Sequence, residues 1–139
     1  MSEKTLSAEA EIVMDVLWRD YPQNMDSPIR TAGDAKRYTN LGPTACKRAL
    51  AELVEAGVIV TLREDWTITD NSLLKGVYDA RANATYYMLP ERLEQLKEAR
   101  IERLKQPVWK QAKETILEKY KEEVETEFQR LWLERMKQQ

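Results

Sequence analysis

The apolar positions of this chain change period along its length, and each period predicts a different element. Ile12, Val13, Val16 and Leu17 recur at helical spacing, with Met14 and Trp18 beside them. Ser7 precedes the run as an N-cap, and Ala8-Glu9-Ala10-Glu11 adds helix formers and early negative charge. Tyr21-Pro22-Gln23-Asn24 is expected to end this helix, with a polar loop running to Ser27-Pro28. Thr31 caps a short second helix with Asp34 as its capping-box partner, and Ala32, Ala35 and Tyr38 form its expected inner face. Asn40-Leu41-Gly42 turns into a third helix, which Pro43 opens without cost because a first-turn N–H is unbonded anyway.

The third helix has two opposed sides. Cys46, Ala49, Leu50, Leu53 and Val54 share one sector, and Thr44, Lys47, Arg48 and Ala51 share the other. Gly57 stands just past its end, where positive φ is needed. The period then falls to two: Val58, Val60 and Leu62 alternate with Ile59, Thr61 and Arg63. Thr85-Tyr86-Tyr87-Met88-Leu89 is a later strand closed by Pro90. Pairing 58–63 with 84–89 predicts a hairpin with a long tip, 64–83. That tip is expected to hold either a short strand at 66–69 or a small helix at 72–77.

From Glu91 the pattern is helical again. Leu93, Leu96 and Leu104 mark an inner face, with Ile101 at its border. Gln106-Pro107 is expected to interrupt this helix, because proline removes a backbone bond. A second long helix then starts at about Val108. Trp109, Ala112, Ile116, Tyr120, Val124, Phe128, Leu131 and Met136 form its apolar stripe, widened by Leu117 and Trp132. The stripe either folds back on its own domain or pairs with a second copy, and pairing is favoured because a winged helix of about 85 residues already closes its own core.

The predicted fold is mainly α with a small β-hairpin wing. Residues 1–90 read as a winged helix-turn-helix DNA-binding domain and 91–139 as a helical dimerisation or interaction tail. In that arrangement the outer face of the third helix, Thr44, Lys47, Arg48 and Ala51, reads duplex DNA. Lys36, Arg37 and Arg30 clamp phosphates, while Arg63, Lys75 and Arg81 around the wing touch backbone or an adjacent minor groove. Trp109, Ile116, Tyr120, Val124, Phe128, Leu131 and Trp132 carry the dimer contact. Its period lies nearer 3.6 than 3.5, which favours a compact bundle over a long coiled coil.

Composition narrows the chemistry. The 139 residues hold 42% hydrophobic and 33% charged side chains, a net charge of −2, one cysteine and no histidine. Without histidine the chain lacks the commonest general base, transition-metal ligand and triad partner. A single cysteine excludes an internal disulfide framework and any multi-thiolate metal site. The four glycines form no phosphate-cradling loop. No enzyme, catalytic residue, metal or cofactor is therefore expected. The net charge conceals a local concentration: Pro28 to Ala51 carries five cations against one anion. The first 27 residues hold two cations and six acids, and 90–139 is nearly neutral.

Cys46 has two readings, a redox switch or a small core residue, and its inward sector favours the core. Trp66, Tyr78, Tyr86 and Tyr87 either line a ligand pocket or pack the hairpin, and packing is expected. No apolar run approaches a membrane span, and Met1-Ser2-Glu3-Lys4 leads into no apolar signal segment, so the expected address is the cytosol.

Leu6-Ser7-Ala8-Glu9-Ala10-Glu11-Ile12-Val13-Met14-Asp15-Val16-Leu17-Trp18 resembles the opening of the penicillinase-repressor family, with its Leu-Ser/Thr, Val-Met and aliphatic-Trp at the same spacing. Leu50 to Ile59 resembles that family's recognition-helix exit, and Ala84 to Pro90 its second wing strand. PadR-type repressors, with a similar long C-terminal helix, are a comparable likeness. The resemblance implies a dimeric transcriptional repressor. This chain departs from the family at Ala10, where a glutamate is expected, in its longer wing, and in its longer, more charged tail. The alternative expectation is a winged-helix scaffold, a plasmid or phage replication or partition protein or an adaptor, whose helical tail binds a partner protein.

Overall fold

The computed structural model describes residues 5–19 and 27–138, in a chain that divides into two units, Met1–Ile101 and Glu102–Gln139. The first unit opens with α1 (Ala8–Met14), where Ser7 Oγ accepts the Ala10 N–H at 3.2 Å as its sequence position predicts. A π-helical turn, Asp15–Arg19, follows. Trp18 lies five residues after Val13, and the wider turn brings both into the core together with Leu17. Ile12 and Val16 correct the sequence reading, since they remain 41% and 42% exposed. The expected helix stop at 21–24 lies outside the described residues.

α2 (Ala32–Tyr38) forms the predicted capping box: Asp34 N–H donates to Thr31 Oγ1 at 3.2 Å, and Thr31 N–H to Asp34 Oδ2 at 2.9 Å. Ala35 is buried, but Tyr38 is not part of the inner face. Its ring lies in solvent under the Arg30 guanidinium, 5.8 Å from the centroid, a contact that suits an amphipathic side chain on the last turn.

α3 (Pro43–Glu55) packs on α1 and α2 through Cys46, Ala49, Leu50 and Leu53. It ends in a Schellman motif. Gly57 takes φ 77°, its N–H donates to the Val54 carbonyl, and the Val58 N–H donates to the Leu53 carbonyl, each at 3.0 Å.

β1 (Val60–Arg63) and β2 (Thr85–Met88) pair antiparallel, with Val60 opposite Met88 and Leu62 opposite Tyr86. Alternation sorts the hairpin by face. Val60, Leu62, Tyr86 and Met88 cover a second apolar cluster with Leu74 and Leu96, while Tyr87 packs on the helical core. Arg30 adds one further rung, exchanging backbone bonds with Tyr87 at 2.8 and 2.7 Å.

The 64–84 connection holds neither the expected strand nor the expected helix. It is a succession of turns, with Ser72 N–H on the Thr69 carbonyl at 3.0 Å, Val77 on Leu74 at 3.1 Å and Ala80 on Val77 at 3.2 Å. Asp79 and Asn83 adopt φ 57° and 65°, which short polar side chains tolerate. Leu74 is fully buried, so the segment folds onto the hairpin instead of protruding. Tyr86 Oη accepts the Arg81 N–H at 3.0 Å, and Glu64 Oε1 accepts the Leu73 N–H at 2.7 Å. Trp66 and Tyr78 contradict the packing reading, being 85% and 91% exposed, because tight turns leave no apolar surface over them.

α4 (Pro90–Lys137) is one helix where a break was expected, with Pro107 inside it. The interruption costs about 3 kcal/mol locally. Leu, Lys, Glu, Gln and Arg on either side favour helix, and an exposed turn lets water satisfy the carbonyl that proline leaves free. Leu96 is buried and Leu93 half-buried, but Ile101 and Leu104 are exposed, so the inner face ends before them. Within the second unit every described side chain except Arg103 is exposed. Phe128 and Trp132 stack one turn apart, with centroids 6.4 Å apart. Among the described residues no helix is long and apolar enough to cross a membrane.

Candidate nucleic-acid interface

The helical core sorts α3 into its two sides. With Cys46, Ala49, Leu50 and Leu53 at 2% exposure or less, Thr44, Lys47, Arg48 and Ala51 are left on the solvent side. The helix opens at Gly42-Pro43 with no side-chain cap and no acid in its first turn. Its positive dipole end and its two cations therefore lie on one stretch of surface. Lys36 and Arg37 occupy the last turn of α2 and are exposed. Among the described residues no carboxylate pairs with Lys36, Arg37, Lys47 or Arg48, which leaves all four donors available to an anion.

Two carboxylates near this face, Glu52 and Asp34, are held elsewhere. Glu52 is half-buried, and its Oε2 accepts the Ser7 N–H at 2.7 Å, tying α3 to the start of α1. Asp34 is occupied by its capping box. The exposed acid of α3 is Glu55, in its last turn.

The remaining candidate cations are differently placed. Arg30 is half-buried, its Nε donating to the Leu17 carbonyl at 3.2 Å and its guanidinium over Tyr38, which makes it a strut between the π turn and α2. Sequence reading missed this role and the backbone rung with Tyr87. The signal was Pro28-Ile29, a restricted and a β-branched residue that both favour extended backbone. Arg63 is paired with Asp65 at 2.6 Å and Lys75 with Asp70 at 3.5 Å, both in solvent. Exposed pairs of this kind hold weakly and exchange readily. Arg81 is exposed, with its backbone fixed by Tyr86.

Cys46 is 1% exposed, its Sγ lying 3.6 Å from Thr39 Oγ1 and 3.7 Å from the Leu41 carbonyl. That environment is a core position. The Ile116, Tyr120, Val124, Phe128, Leu131 and Trp132 side chains are each at least half exposed, as is Trp109. Comparison with family models, with curated proteins and with solved structures finds no match to this chain.

Proposed function

We propose that this chain is a cytosolic, winged-helix DNA-binding protein that acts as a homodimeric transcriptional repressor. The observation that carries the reading is the outer face of α3, where Thr44, Lys47, Arg48 and Ala51 lie opposite a fully buried side, with both cations unpaired among the described residues. The element order supports it: helix, single extended rung at Arg30, helix, helix, antiparallel hairpin. A helix of this size entering the major groove would bring Lys47 and Arg48 to guanine edges or phosphates and Ala51 near a thymine methyl. Lys36 and Arg37 would anchor the backbone, supplying affinity and salt dependence without specificity. Arg30 acts by holding α2 in place, and Arg63, Lys75 and Arg81 are left as contacts at the margin of the duplex. The likeness of residues 6–18 to the penicillinase-repressor opening points the same way. Repression then follows from occupancy of an operator, with no catalytic step.

The test is selection from a random duplex pool. Enrichment of a two-half-site sequence, bound with an affinity that falls steeply with salt, is the expected result. Failure to enrich any sequence, together with salt-independent behaviour, would replace this reading with that of a partner-binding scaffold.

A further inference from the structure

Nine apolar side chains of the second unit are arranged symmetrically about one of them, Val124, while Leu104, Val108, Trp109 and Leu133 have no counterpart across it. Tyr120 and Phe128 stand four residues either side of Val124, Leu117 and Leu131 seven, Ile116 and Trp132 eight, and Ala112 and Met136 twelve. All lie in α4, and all are exposed. Five of them, from Ile116 to Trp132 in steps of four, make a continuous ridge of the kind that packs beside a matching ridge of another helix at a crossing of about 50°. We infer that the partner of this ridge is a second copy running antiparallel, with the two-fold axis at Val124. This inference rests on the homodimeric reading above and adds its register and direction.

Three features favour that arrangement. A two-fold contact must be self-complementary, and a sequence symmetric about Val124 pairs Tyr120 with the partner's Phe128 and Ile116 with its Trp132. Each layer then combines a bulky side chain from one half of the helix with another from the opposite half. A parallel pair would stack Trp132 on Trp132 and Ile116 on Ile116, forcing the axes apart at one end. Charge contributes one favourable contact. Lys121 and Glu125 lie on the same flank of the ridge, so the antiparallel axis sets each lysine beside the partner's glutamate. On the opposite flank the two copies of Glu123 face each other. There Glu127 is already bound by Arg130 of its own helix. That pairing lowers the Glu127 pKa and raises that of Arg130, keeping both charged. Lys113 and Arg135 are like charges at matching heights, about 16 Å from the axis, where crossed helices have already diverged.

Cysteine crosslinking tests the register. Facing Cα atoms at the two-fold axis lie roughly 5 Å apart, within disulfide reach, whereas the two copies of position 120, or of 128, are separated by about 12 Å along the helices. Full-length Val124→Cys is therefore expected to form a covalent dimer on mild oxidation. Tyr120→Cys and Phe128→Cys are each expected to stay monomeric on denaturing gels, and to crosslink when mixed. The wild-type chain is the control for Cys46, which is buried. Self-crosslinking of Tyr120→Cys and Phe128→Cys alone would overturn the antiparallel register while leaving the dimer intact. A monomer by sedimentation, with no crosslink in any variant, would overturn the dimer itself.

Discussion

Arg30 and Tyr87 exchange backbone hydrogen bonds at 2.8 and 2.7 Å, joining the segment before α2 to β2, the second strand of the hairpin. The same arginine reaches back to the Leu17 carbonyl through Nε. One residue thus fixes the π turn, α2 and β2 relative to one another. Arg30→Ala is expected to cost about 1.5–3 kcal/mol of unfolding free energy, because a charge-assisted bond is lost and the Leu17 carbonyl is left without that donor. Lys36→Ala, on an exposed turn, should stay within about 0.5 kcal/mol. Urea denaturation of both variants separates a strut from a phosphate contact.

Leu74 lies in a segment without regular structure yet is fully buried. Leu74→Ala is expected to destabilise the first unit by about 2–5 kcal/mol, the range for a leucine truncated in a packed core. Trp66→Ala should be nearly neutral despite its larger side chain, since the indole is 85% exposed. Thermal denaturation of the pair checks whether the 64–84 connection folds onto the hairpin.

Pro107 sits inside α4 without ending it. Pro107→Ala restores a backbone donor and should stabilise the surrounding helix by up to about 3 kcal/mol. Far-ultraviolet circular dichroism on heating should show helical signal persisting to higher temperature. Unchanged melting would mean the proline imposes no local penalty.

The elements that were legible in the sequence are those defined by local chemistry. Ser7, Thr31 with Asp34, and Gly57 announce helix ends because each satisfies particular backbone groups within a few residues. The two sides of α3 follow from helical period alone, and the hairpin from alternation. What escaped depends on distant partners. Leu74 carries no periodic signal, because its burial is set by strands far away in sequence. Ile12 and Val16 obey the same spacing as Val13 and Leu17, and it is the second pair, in line with buried Ala10, that packs on α3, with the π turn adding Trp18 to that face. Arg30 looked like one more surface cation. Its commitment to Leu17 and Tyr87 requires knowing that residues 13 and 57 positions away are neighbours.

The most direct test of the central claim is an affinity titration of the selected duplex at fixed salt with wild type and with Lys47→Ala combined with Arg48→Ala. Both side chains are exposed, so the double variant should keep the wild-type melting temperature. With base contacts worth about 1–3 kcal/mol each, binding is predicted to weaken by at least roughly tenfold and its sequence preference to relax. Unchanged affinity in a folded double variant would contradict the assignment of this α3 face to DNA.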